Sequence, residues 1–377
     1  MLNENENEKG ALAGATTRRS LVRAAAWSVP VIAVATAVPR VAASCVPGVV
    51  EKKVLVPAVN TTSFTSGPRT VELLTVPDGV TSITFEVLGG GGGCGSYAKA
   101  SAGAGGGAGG LVTGELAVTP GATLTLIAGN GGIGPSALDQ GSMAGGEGYG
   151  YGGWTPITEA TGLTGGSGGG GSAILVNGVP AVVAGGGGGV GCVQARPATG
   201  WTITGGTGGA AGQNGVDGRI SRQQIPTPEI AQGGGGASGA TPGQPRGSNG
   251  SAGNGDNGWK RDIGIAGTAP SGTGPDSGGK GGNGVKSAKF TLTGAGPLQT
   301  GSGGGGGGYA GGASGTSVAR VYDFSPQYQY AFSGGGGGGS SYISSAVSGG
   351  VIALGANGST DGVRHPGHVI ISYTVVC

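Results

Sequence analysis

The chain has 377 residues, 96 of them Gly and 20 Pro, with 10% charged and 5% aromatic. That much Gly and Pro without a period argues for low complexity, yet disordered chains stay soluble through charge, which is scarce here. The glycines come in runs (89–93, 185–189, 303–308, 334–339) and not at every third place, which excludes collagen. The first 43 residues hold five of the 20 basic and three of the 18 acidic residues, so the remainder is balanced, 15 against 15. Such a balance leaves no electrostatic footprint for nucleic acid or anionic lipid.

In chain order, the first feature is Thr17-Arg18-Arg19-Ser20-Leu21-Val22-Arg23, followed by an apolar stretch from Ala24 to Val38 and the small residues Ala42-Ala43. This pattern resembles a twin-arginine signal peptide with a helical apolar part. The expectation is that residues 1–43 are removed after export and that the mature chain starts at Ser44, in the cell envelope or outside the cell, with no membrane contact afterwards. An anchor helix is the weaker reading, because fifteen residues containing Pro30 span a bilayer poorly. A lipoprotein reading at Cys45 lacks the bulky aliphatic residue such sites prefer. Residues 44–69 are then a lead segment, and 70–377 a glycine-rich β domain.

Short strand patterns follow. Val80 to Val87 is rich in β-branched residues and alternates from Ile83, with Phe85 and Val87 on one face. Leu111–Val118 and Thr123–Ala128 read as strands joined across Pro120-Gly121. Ile174–Val183 holds Asn177-Gly178 between apolar runs, a strong hairpin signal, with Pro180 at an edge or early position. Residues 193–290, with Arg196-Pro197, Ile225-Pro226-Thr227-Pro228 and Pro242-Gly243-Gln244-Pro245, read as an elaborated loop region. His368 to Val376 closes the chain as an alternating strand. The reading is all-β beyond the signal.

Four cysteines remain after Ala43: Cys45, Cys94, Cys192 and Cys377. None has zinc-like spacing, and an even count in an exported chain suggests two disulfides with three possible connectivities. Cys94 and Cys192 each follow a glycine run and Cys45 and Cys377 lie at the two ends, a shared context that favours 45–377 and 94–192.

The strands run straight into the glycines: Leu88 into Gly89, Ala184 into Gly185, Ser333 into Gly334. Buried amides need partners, and one ordered solution is a bundle of polyglycine II helices, extended and three residues per turn, that bond to one another. The alternative is a set of flexible tethers. The stretch Thr75-Val76-Pro77-Asp78-Gly79-Val80-Thr81-Ser82-Ile83 leading into Gly89–Gly93 resembles the opening of bacterial and phage glycine-rich surface domains. Gly187-Gly188-Gly189, the run ending Gly308-Tyr309-Ala310-Gly311-Gly312, and Gly338-Gly339-Ser340-Ser341-Tyr342-Ile343 are similar to the extracellular glycine-rich domain of anaplastic lymphoma kinase-type receptors. The resemblance covers about residues 70 to 377. It implies a β-sandwich of jelly-roll or tumour-necrosis-factor-like topology carrying polyglycine helices, and a role in binding a protein ligand. No kinase or membrane-spanning segment matches, so the receptor role is not implied.

Catalytic patterns are weak. His365 and His368 are the only histidines, and Pro366-Gly367 between them reads as a turn, which disfavours a metal pair. Gly165-Gly166-Ser167-Gly168-Gly169 formally matches a nucleophile elbow without strand–helix context, and Gly279-Lys280 lacks the Ser or Thr of a phosphate loop. The expectation is no enzyme, no cofactor and no metal. An ice-binding face is disfavoured for lack of a regular small-residue repeat. Two readings remain, an adhesin-like protein that binds a surface glycan or protein, and a purely structural matrix component. The candidate ligand-binding residues are Tyr322, Phe324, Tyr328, Tyr330 and Phe332, five of the chain's eighteen aromatics in eleven residues. A turn at Ser325-Pro326-Gln327 puts all five on one face, either as a stacking platform or, more simply, packed on the sandwich.

Overall fold

The computed structural model describes residues 48, 50–57, 67–94, 105–134, 143–158, 164–196, 202–222, 225–247, 250–252, 259–290, 297–322 and 328–375. The signal segment 1–43, its cleavage point, Cys45, Phe324 and Cys377 lie outside them. In chain order the strands are β1 (Val50–Leu55), β2 (Thr70–Thr75), β3 (Ser82–Leu88), β4 (Gly110–Ala117), β5 (Thr123–Ala128), β6 (Ser172–Val176) and β7 (Val179–Ala184). Then come β8 (Val193–Arg196), β9 (Thr202–Thr204), β10 (Gly218–Arg222), β11 (Ile225–Ala231), β12 (Gly250–Ala252) and β13 (Trp259–Asp262). The last are β14 (Ser317–Tyr322), β15 (Tyr328–Ser333), β16 (Tyr342–Ile343), β17 (Val347–Leu354) and β18 (His368–Thr374). The described residues are all-β, without a helix.

Alternation builds the first sandwich. β3 turns Ser82 and Thr84 outward and buries Ile83, Phe85 and Val87, as its pattern demands. It sits at the centre of an antiparallel sheet ordered β1-β18-β3-β4-β17, and a second sheet runs β16-β7-β6-β5-β2. Their inner faces meet in one core, with Phe85, Val112, Leu116 and Ile371 against Leu124, Leu126, Ile174 and Val182. β6 and β7 form the expected hairpin, with Asn177 (φ 50°) and Gly178 (φ 80°) as its turn. Pro180 is the second residue of β7, the early position expected of it. β4 and β5 are both strands but belong to different sheets, so Pro120-Gly121 carries the chain across the sandwich.

The stretch 193–290 holds strands as well as loops. It carries β8 to β13, and the strand order β12-β13-β14-β15-β8 forms a third sheet packed on a three-stranded fourth, β11-β10-β9. Val193, Ile220, Ala231, Val318, Tyr330 and Phe332 fill the core between them. Ile225-Pro226-Thr227-Pro228 opens β11. Two prolines are tolerated there because β11 is an edge strand and pairs only with β10. The lead segment also takes part, since β1 pairs with β18 along its whole length.

Glycine segments run between these sheets, as where 185–192 connects β7 to β8 and 334–341 connects β15 to β16. They are held by backbone hydrogen bonds to sequence-remote segments whose partners repeat every three residues. Gly186 and Gly189 donate to Gly307 and Gly304, Gly187 and Val190 to Gly90 and Gly93, Gly188 and Gly191 to Gly209 and Gly206. The carbonyls of the same segment accept from Gly339 and Gly336, from Gly169 and Gly166, and from Gly110 and Gly107. Six neighbours thus surround one segment. Segment 334–340 is placed likewise, with Gly334, Gly337 and Ser340 donating to Thr316, Ala313 and Ala310. Side chains are excluded by contact: a Cβ on Gly187 would overlap the carbonyl of Gly107, and one on Gly336 that of Gly304.

Candidate functional site

β14 and β15 pair as expected, and the two candidate aromatics whose side chains are described, Tyr330 and Phe332, are buried. β14 and β15 pair with Tyr322 opposite Tyr328, Arg320 opposite Tyr330 and Val318 opposite Phe332. Tyr330 and Phe332 are both 0% exposed and belong to the core between the third and fourth sheets, their ring centroids 5.9 Å apart. The fourth sheet covers this face, a layer the sequence reading assigned to loops. The side chains of Tyr322 and Tyr328, and all of Phe324, lie outside the described residues.

No disulfide is seen between Cys94 and Cys192, and both side chains are buried. Their segments do run side by side, with Val190 N–H donating to Gly93 O at 3.1 Å. The three-residue repeat turns their side chains apart. Cys94 follows Gly91, whose Cβ direction meets Asn357, and its thiol lies near Asp361. Cys192 directs its Sγ to Gly301 O at 3.4 Å. Burial pushes the Cys192 thiol up to about 12 and also raises that of Cys94, where Asp361 adds to it; both are poor nucleophiles.

The two histidines serve separate carboxylates. His365 Nε2 is 2.9 Å from Asp361 Oδ1, and His368 Nε2 is 2.8 Å from Glu86 Oε1. Among the described residues no three His, Cys, Asp or Glu side chains gather as a metal site. Ser167, centre of the formal nucleophile elbow, is buried in a glycine segment and donates to Ala144 O at 2.9 Å. Arg364 escaped the sequence reading. It is fully buried and donates to Gly131 O at 2.7 Å and Ala144 O at 3.1 Å. Burial lowers its pKa to about 10, against a raising influence from Glu147, so it stays charged at neutral pH.

The exposed side chains of interest stand on the glycine segments themselves. Segments 150–157 and 278–286 lie side by side, with Gly281 N–H donating to Tyr151 O and Gly284 N–H to Trp154 O, both at 2.8 Å. Tyr151 and Trp154 stand three residues apart on the first segment, and Lys280, Asn283 and Lys286 three apart on the second. Lys280 Nζ lies 5.5 Å from the Tyr151 ring centroid, and Asn283 Oδ1 accepts from Trp154 N–H at 3.2 Å. Arg69 stands 5.6 Å from the same Tyr151 ring and is tied to Asp276 at 2.8 Å. Asp276 also accepts from the Tyr151 hydroxyl at 3.1 Å. Trp154 is 41% exposed and Lys280 is exposed. The two segments thus bring Tyr151 and Trp154 beside Lys280 and Asn283. Spacing by three in Tyr151/Trp154 and Lys280/Asn283/Lys286 is visible in the sequence, but only to a reader who counts in threes.

A second concavity, about 350 Å³, lies on the outer side of the first sheet. Its lining is mostly hydroxylic, with Thr81, Ser82, Thr84, Ser372 and Thr374 around Glu115.

Residues 65–195 match the family described as a glycine-rich domain. The matched stretch covers β2 to β7 and the glycine segments between them. No curated protein matches the chain.

Proposed function

We propose that this is an exported, envelope-associated binding protein without catalytic activity, adhesin-like in that a rigid glycine scaffold presents a recognition face to a surface glycan or protein. In this reading the glycine segments are a bundle of polyglycine II helices. Support comes from the partners that repeat every three residues and from the six neighbours around segment 185–190, the packing a three-per-turn extended helix requires. A jelly-roll or tumour-necrosis-factor-like sandwich rests on the family resemblance. Export rests on Arg18-Arg19 and the apolar stretch after them. A fold made of non-local pairings forms slowly, which suits a route that carries folded proteins. Replacing both arginines by Lys then keeps the protein inside the cell, read by immunoblot of cell and medium fractions. Unchanged export of that variant refutes the route.

The observation that carries the binding reading is the exposed Trp154 and the half-buried Tyr151 beside exposed Lys280 and half-buried Asn283. Rigid aromatics with adaptable polar neighbours supply contact area at little entropic cost, and Lys280 adds a charge. The test is binding of the mature protein to a glycan array and to immobilised whole cells, for the wild type and for Trp154→Ala with Lys280→Ala. Binding that falls at least about tenfold, the size of a hot-spot loss, with an unchanged melting temperature supports the face. Wild-type protein that binds nothing leaves the purely structural matrix role. Binding untouched by the double substitution places recognition elsewhere.

A further inference from the structure

We propose that the free edge of β17 pairs with the same edge of a second copy of this chain, antiparallel about a twofold axis near Ile352, so that two first sheets become one ten-stranded sheet. Unpaired strand edges are templates for further pairing, and proteins blunt them with charge, proline, short length or a bulge. Among the described edges β17 alone is long and free of charge and proline, and its one blunting feature is a bulge at Ser348–Val351 that leaves its C-terminal half regular. β1 carries Glu51, Lys52 and Lys53, and Lys53 is ion-paired to Glu72 of the edge strand β2, which closes that side of the sandwich. β11 has Pro226, Pro228 and Glu229, β8 ends in Arg196, and β9, β12 and β16 have three residues or fewer. β17 has eight residues, Val-Ser-Gly-Gly-Val-Ile-Ala-Leu, with no charge and no proline.

The uncovered side chains are apolar. Val351, Ile352 and Leu354 are 56%, 53% and 47% exposed. Ile352 stands opposite Val112, a buried core residue, so it points to the core side of its sheet. It is exposed because β16 is only two residues long and the second sheet stops beneath it. The irregularity between Ser348 and Val351, with Gly349 at φ 58°, confines regular pairing to Val351–Leu354.

A second copy fits this edge better than a charged partner strand. Twofold pairing keeps each sheet face with its like, so Ile352 meets Ile352 and Val351 meets Ala353, and no ionic group is buried. The balanced charge beyond Ala43 imposes no long-range repulsion between copies. Three residues a side (Val351–Ala353), with Leu354 beside Gly350 at the bulge, make a small interface, so the dissociation constant is about micromolar or weaker. A dimer would also carry two recognition faces, raising apparent affinity for a repetitive surface.

Sedimentation velocity of the mature protein between about 1 and 100 µM, the range that brackets such a constant, tests this. The expected result is a concentration-dependent dimer that Ile352→Lys converts to monomer with an unchanged melting temperature. Leu354→Lys gives the same answer should the first variant fail to fold. Leu73→Lys, on the exposed side of edge strand β2, leaves the dimer intact. A wild type that stays monomeric throughout overturns the proposal, as does a dimer that survives both β17 substitutions or is lost with Leu73→Lys.

Discussion

The sandwich of the first two sheets and the glycine segments are built on opposite principles. In the sandwich, side chains do the specifying: Ile83, Phe85 and Val87 face Leu124, Leu126 and Ile174 because strands alternate, and each such burial contributes about 1.5–3 kcal/mol. In the glycine region the backbone specifies, and its currency is the hydrogen bond, worth about 0.5–1.5 kcal/mol net. Ordering one residue costs about 1–2 kcal/mol, and Gly more than any other. Isolated glycine segments therefore do not order themselves. They are held because strands at their ends fix their position, as β7 and β8 do for 185–192 and β15 and β16 for 334–341. The sandwich is sensitive to losing atoms and the glycine region to gaining them.

Adding atoms is the strongest way to break that contrast. In Gly336→Val the first added carbon would overlap the carbonyl of Gly304. Gly336 also donates to Gly189 and accepts from Gly209, both at 2.8 Å, so displacement disturbs two neighbours at once. Overpacking costs about 1–3 kcal/mol, and each backbone group left unpaired adds about 1–3 kcal/mol. The melting temperature should fall by roughly 4–13 °C for a chain of this size, or the protein should fail to fold. An unchanged midpoint would mean that the segment is a tether and that its neighbours do not hold it.

What the sequence discloses follows the same division. β3, β18 and the β6–β7 hairpin were legible, because alternation and an Asn-Gly turn are side-chain signals. β1 was hidden by three consecutive charged residues that an edge strand can carry on its rim, β17 by two glycines at its bulge, and β11 by prolines that an edge excuses. The glycine runs were visible as runs, but their partners were not, since a residue without a side chain leaves no pattern to say whom it meets. That blindness propagated to the site. Without the fourth sheet, nothing in the sequence decided whether Tyr330 and Phe332 formed a surface or packed in a core. Without the three-residue step, Cys94 and Cys192 looked aimed at each other, and Tyr151 and Trp154 did not stand out as a pair.

A milder substitution sharpens the comparison, because the chain uses glycine in two physically different ways. Gly178 closes the β6–β7 turn at φ 80°, and a Cβ there would meet nothing within 4 Å. Gly336 is the reverse case, with no positive φ and no room. The turn around Gly178 cannot easily relax into another type. Asn177 N–H donates to Thr123 O at 2.8 Å, its Oδ1 accepts from Thr123 N–H at 3.0 Å, and Gly178 O accepts from Gly274 N–H at 2.8 Å. Gly178→Ala must therefore hold an L-residue in the left-handed region, which costs about 1–2 kcal/mol. That corresponds to a fall of roughly 1–3 °C in melting temperature for a chain of this size, with folding preserved. Melting curves of the two variants side by side read the difference: torsional strain alone for Gly178, steric exclusion for Gly336. If Gly178→Ala proves the more damaging of the two, the close packing of the glycine segments is not what holds this protein together.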